Sequence, residues 1–122
     1  MTVRMISLPT IDHETVSLVE PSWCAGHANH VPEYRVDLCH TGPEHDLTFD
    51  GAAFLTTALT QDPYAIDPER RRTGLYVEQA DFSATLDPAE VRQLAATLTV
   101  HAMHLRTLAD QLTAIRAEER AQ

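Results

Sequence analysis

From Ala89 to the last residue the chain contains neither proline nor glycine, and several helix-start signals coincide just upstream, at Leu86-Asp87-Pro88-Ala89-Glu90-Val91. Asp87 can cap the first turn, Pro88 suits the first helical position, Glu90 completes a capping box, and Leu86 can staple onto Val91. A helix from residue 87 to about residue 118 follows. At about 1.5 Å per residue, roughly 30 residues make a rod of about 45 Å, longer than a domain of this size is wide. Part of it must overhang the rest of the molecule or meet a partner.

Along that helix Val91, Leu94, Leu98, His101, Leu105, Leu108, Leu112 and Ile115 keep an unbroken alternation of three and four residues. This is a heptad seam with one polar member, His101, and such a residue can fix register or oligomeric state at some cost in stability. Either Val91 to Leu98 cover a sheet and only the distal half is shared, or the seam as a whole makes a homodimer. Arg116 and Arg120 suit the negative helix end and Glu118 and Glu119 do not, so the last turn is expected to fray.

The preceding residues read as short strands and turns. Val3 to Leu8 and Thr15 to Val19 form a first pair. Leu47 to Leu59 form a second, broken at Asp50-Gly51, a dipeptide that supplies the two positive φ angles of a type I′ hairpin. Leu75 and Val77 alternate with Tyr76 and Glu78, and Phe82, Ala84 and Leu86 alternate with Ser83 and Thr85, the period of half-buried strands. Residues 61–72, with Pro63 and Pro68, read as a long loop. The expected fold class is α+β: an antiparallel β-meander with a Cys/His loop and one long C-terminal α-helix. With 122 residues, 43% of them apolar, a single domain is expected, strand-rich over 1–86 and helical over 87–118.

The formal charge of −9 opposes binding to nucleic-acid phosphates and to anionic membranes. The basic run Arg70-Arg71-Arg72 is read as a solvated loop rather than an anion site. No apolar run is long enough for a signal peptide or a membrane span, so a cytoplasmic protein is expected. There Cys24 and Cys39 are thiols or metal ligands more readily than a disulfide. All nine basic residues are arginine, which points to a GC-rich genome.

Cys24, His27, His30, Cys39 and His40 fall within seventeen residues, beside the single tryptophan, Trp23. Tetrahedral zinc takes thiolate and imidazole ligands, and Cys24-x2-His27 lets one turn aim two of them at one ion. Neighbouring residues diverge, so Cys39 and His40 do not share an ion. His40, followed by the Thr41-Gly42 turn, is the preferred ligand, and Cys39 faces the core as a small hydrophobe. The candidate set is Cys24, His27, His30 and His40, with Glu20 able to take the place of His30. Asp37 is expected to accept a hydrogen bond from a ligating imidazole. Polar loop histidines with no metal are the plain alternative.

A catalytic version needs an open coordination position and a general base, for which Glu33 and Asp37 are the nominees. Cys24 has too few basic neighbours to act as a nucleophile, and with only four glycines no phosphate-cradling loop is present. His101 and His104, three apart on the helix, can face one another across a dimer and hold a metal or a pH-sensitive contact. His13 and His45 have no evident partners.

At Pro21-Ser22-Trp23-Cys24, His40-x-Gly42, Leu59-Thr60-Gln61-Asp62-Pro63-Tyr64 and Leu86-Asp87-Pro88-Ala89-Glu90-Val91 the chain resembles a family of small uncharacterised actinobacterial proteins, found widely in streptomycetes and their mobile elements. The likeness runs from about residue 18 to about residue 117. Many members place a further cysteine where this chain has Glu20, a departure that either weakens the metal assignment or substitutes an oxygen ligand for sulfur. The resemblance implies the same fold and a cytoplasmic actinobacterial origin, and carries no activity with it. The residues together predict a non-enzymatic, zinc-binding accessory or regulatory protein that acts through protein contacts. The alternative is a metal-dependent enzyme, hydrolase-like, using the same Cys/His cluster.

Overall fold

The structure is a computed structural model that describes residues 4–121; Val3, the expected start of the first strand, lies outside them. Among the described residues the chain is α+β, with antiparallel strands in a meander-like order followed by one long C-terminal helix. These residues gather into two compact units, neither contiguous in sequence: residues 4–43 with 58–75, and residues 44–57 with 76–121.

In the first unit β1 (Arg4–Pro9) and β2 (Thr15–Glu20) form an antiparallel hairpin, in register from Arg4 opposite Glu20 to Pro9 opposite Thr15. The tip is closed by Thr10, whose amide and hydroxyl both donate to the Glu14 carbonyl, with Glu14 at φ 53°. Because side chains alternate along a strand, Val16, Leu18 and Glu20 share a face. Leu8, Leu18 and the fully buried Leu38 make the core there, with Ile6, Val16 and Tyr64 packed on it. Burying such leucines contributes roughly 1.5–3 kcal/mol each. Glu20 is carried into the same buried layer, 7% exposed.

The chain crosses from β2 to β3 (His40–Thr41) through the Cys/His loop and a short 3-10 turn, Arg35–Asp37. Strand β3 pairs with the end of β5 (Ala52–Gln61), His40 opposite Gln61 and Thr41 opposite Thr60. Residues 61–72 form the expected long connection, which includes a 3-10 turn, Pro68–Arg71, capped by Asp67 accepting from the Glu69 amide. Its arginines are tied locally. Arg70 pairs with Asp62 at 2.8 Å, Arg71 donates to the Ala65 and Ile66 carbonyls, and Arg72 pairs with Glu69 at 3.1 Å.

In the second unit β4 (His45–Phe49) turns through Asp50 at φ 52° and Gly51 at φ 80° into the first part of β5, as the Asp-Gly dipeptide requires. The register slips after Leu47, so that Leu47 faces Leu55 and Thr48 faces Ala53, leaving Phe54 as the extra residue of a bulge. β6 (Gly74–Gln79) pairs with β5. Leu75 is half-buried but Val77 is 54% exposed, so β6 covers less apolar surface than its alternation implies.

The strand expected over Phe82, Ala84 and Leu86 does not form: residues 80–87 are irregular. Phe82 instead stacks on Phe54 at 5.0 Å and meets Phe49 edge-on at 6.1 Å, while Ala84 is exposed. Ring packing fixes this segment where a ladder of backbone bonds was expected.

Helix α1 (Pro88–Ala121) begins with the expected capping box, the Glu90 amide donating to Asp87 at 2.8 Å and the Asp87 amide to Glu90 at 3.1 Å. Its 34 residues span about 51 Å. The strand it packs against is β4. The covered part of the seam is central: His101 is buried and Leu105, Leu108 and Leu112 half-buried, whereas Val91 and Leu98 are about half exposed. Within the stretch from Val91 to Leu98 only Leu94 of the seam is half-buried, so the coverage expected there is partial. No helix among the described residues is long and apolar enough to cross a membrane.

Candidate metal centre

Four side chains of the first unit converge: Glu20 from the end of β2, Cys24 and His27 from the loop, and His40 from β3. Several backbone constraints bring them together. The Cys24 amide donates to the Pro21 carbonyl, turning the chain directly after β2. The Ala25 amide donates to the Thr41 carbonyl, which fastens the loop to β3 beside His40. Gly26, at φ 99°, then lets its own amide point back at the Cys24 sulfur, 3.4 Å away. Gly42 allows β3 to press against Trp23, since a Cβ there would lie 3.1 Å from the Trp23 carbonyl oxygen. Trp23 in turn meets the His40 ring edge-on at 6.4 Å.

One ligand atom from each residue lies within 4.8 Å of the other three. Cys24 Sγ is 3.6 Å from His27 Nε2, and His27 Nε2 is 3.3 Å from His40 Nδ1. Glu20 Oε1 is 2.9 Å from His27 Nε2 and 3.9 Å from His40 Nδ1. With metal–nitrogen and metal–oxygen bonds of about 2.0–2.1 Å and a zinc–sulfur bond of about 2.3 Å, a tetrahedron separates N/O donors by about 3.3–3.4 Å and an N/S pair by about 3.5–3.6 Å. The Cys24–His27 and His27–His40 separations are edges of such a tetrahedron, while Glu20 Oε1, nearer His27 and farther from His40 than an edge requires, would have to turn to complete it.

The electrostatics agree with that geometry. Glu20 Oε1 is buried 2.9 Å from His27 Nε2 without well-formed hydrogen-bond geometry between them. A buried carboxylate oxygen so poorly served costs free energy that a cation recovers. Burial pushes the Glu20 carboxyl up, but the hydrogen bond from the Cys24 thiol and the electrostatic influence of His27, Arg4 and His40 together bring it below its usual value. Burial and the neighbouring Glu20 raise the Cys24 thiol, so without a cation the sulfur stays protonated. Burial and His27 lower His40, keeping it neutral and its lone pair available. The His40 ring also hydrogen-bonds the Val19 backbone, the kind of outer contact that orients a ligating imidazole.

Of the four expected ligands, Cys24, His27 and His40 come together and His30 does not. The His30 amide closes a turn onto the His27 carbonyl, and that turn sends the ring to the Pro9 carbonyl, 3.0 Å from Nε2. Glu20 stands in the fourth place. Cys39, divergent from His40, does not face apolar core as expected; its sulfur lies 3.3 Å from the Thr60 hydroxyl and 3.5 Å from that of Thr41. Asp37 is exposed on its 3-10 turn, and the backbone contact to a cluster imidazole comes from Val19 instead.

Residues 5–114 match the model of a family described as Domain of unknown function (DUF6907). The chain belongs to this family. The matched residues include all four members of the centre, both strands of the first hairpin and most of α1. No curated protein and no solved structure matches the chain.

Proposed function

We propose that this DUF6907 chain is a non-enzymatic accessory or regulatory protein in which Glu20, Cys24, His27 and His40 hold one zinc ion as a structural pin, and which acts through protein contacts made by α1. The convergence of donors carries the reading: four ligand atoms all within 4.8 Å of one another, one of them a buried carboxylate oxygen. A thiolate, two imidazoles and a carboxylate suit zinc, which tolerates mixed donors and imposes no geometry of its own. All four places are taken by protein, as in closed structural sites. The ion would tie the end of β2, the loop and β3 together, so that binding free energy becomes folding free energy for this unit.

The hydrolase-like alternative needs an open coordination position and a carboxylate base in a cleft. Glu20 takes that position, and the depression bordering His27, lined by Gly26, Asn29, His30, Cys39 and Thr41 among others, contains no carboxylate. For α1 the proposed partner is a second copy of the chain, met through the seam that continues past its contact with β4.

Elemental analysis of purified protein is expected to find zinc, and Cys24→Ala to contain one zinc fewer per chain while the first unit loses protection from hydrogen exchange. Equal zinc in the two proteins would discard this ligand set.

A further inference from the structure

His45, which has no evident partner in sequence, is brought by β4 onto α1. Its ring lies over that of His104, centroids 3.7 Å apart, and over that of His101 at 5.7 Å; His101 and His104 are 6.0 Å apart. For comparison, the two imidazoles of the Glu20 centre have centroids 5.3 Å apart. We propose that His45, His101 and His104 form a second metal site, selective for a divalent transition-metal cation that favours imidazole, and separate from the Glu20 centre.

Three observations carry this. First, Nε2 of His101 and Nε2 of His104 are both buried and have no hydrogen-bond partner, and His101 as a whole is only 6% exposed. Buried polar atoms in native proteins are normally satisfied, so two orphaned nitrogens on one helix face call for a ligand that accepts from both lone pairs. Second, the helix positions are ordered for it: residues three apart lie on the same face. One of them occupies a seam position otherwise filled by leucine, valine and isoleucine, where an apolar residue would pack without that cost. Third, burial together with the neighbouring imidazoles lowers both His101 and His104, which holds them neutral, the form that binds metal.

Among the described residues only the Glu20 group has ligand atoms that all lie within 4.8 Å of one another, so binding by His45, His101 and His104 requires the rings to turn. His45 is exposed at the surface of β4 and has the room to do so. Neutral nitrogen ligands without thiolate suit zinc, nickel or copper rather than calcium or magnesium. Three protein ligands leave part of the coordination sphere to water or to a group from another molecule.

The test uses the full chain, stripped of metal and titrated with Zn2+, with the histidine ring signals followed by long-range proton–nitrogen NMR and assigned through His45→Gln and His104→Gln. The expected result is that the rings of His45, His101 and His104 shift together over one equivalent of zinc. His45→Gln, a change at an exposed position, should weaken that step by about tenfold or more, at least what losing an outer contact of a metal ligand does. Equilibrium dialysis should then find one zinc fewer in His104→Gln than in the wild type. The proposal is overturned if the three rings stay unmoved at saturating zinc, or if the His101 and His104 rings shift unchanged in His45→Gln. The first of these outcomes is read on the wild-type chain, so misfolding of a variant cannot produce it, and the ring signals report independently of Cys24.

Discussion

Glu20 is the side chain on which the centre turns, and the strand that carries it explains how it gets there. Val16, Leu18 and Glu20 occupy alternate positions of β2, so the face that buries Leu18 also buries the carboxylate. That period of two was legible in the sequence, and it is the signal that ranks Glu20 above His30 as the fourth donor. Cys24, His27 and His40 were legible from residue type and spacing alone. His30 was not separable from them, because its exclusion depends on a turn at residues 27–30 and on the Pro9 carbonyl of a distant strand. Gly42 is a second single-residue determinant. In Gly42→Ala the new methyl would press on the Trp23 backbone, a contact that only a shift of the loop relieves. Overpacking of this kind costs about 1–3 kcal/mol. Urea unfolding should show a loss in that range together with weaker zinc binding, since the same loop carries Cys24; stability and affinity both unchanged would mean that β3 and the loop are not packed as described.

Among the elements, those specified by local chemistry are the ones the sequence announces. The Asp87/Glu90 box starts α1 and the Asp50-Gly51 pair turns β4 into β5, each through backbone bonds or angles that few other residues supply. The segment 80–87 escaped because an alternating pattern gives a strand only where a neighbour offers backbone partners, and here Phe82 finds the rings of Phe49 and Phe54 first. The bulge at Phe54 has no sequence signature. For α1 the heptad spacing identified the buried side, while which turns are covered depends on where β4 meets the helix, at His101 and His104. The seam then continues through Leu105, Leu108, Leu112 and Ile115, all still partly accessible, and a second copy would bury them. Leu105→Asp is accordingly expected to shift light scattering from dimer to monomer with helicity retained. A wild type that is already monomeric would restrict the seam to contacts within one chain.

On the scale of the whole molecule, the residues divide into two compact units with one histidine-containing cluster in each: the Glu20 centre in the first, and His45, His101 and His104 in the second. A charge of −9 makes cations the natural small ligands of such a surface, and the tied arginines of residues 70–72 offer no free basic patch to counter that. The family match covers both clusters. What holds the first unit together besides the Leu8, Leu18 and Leu38 core is, on this account, a cation bound by sulfur, two imidazoles and a carboxylate. Replacing it with Co2+ makes the sulfur visible, because thiolate bound to cobalt gives an intense near-ultraviolet charge-transfer band that imidazole and carboxylate do not. The account predicts that band in the wild type and in Cys39→Ser, and its loss in Cys24→Ser. A cobalt-loaded chain without the band, or one that keeps it in Cys24→Ser, would contradict it.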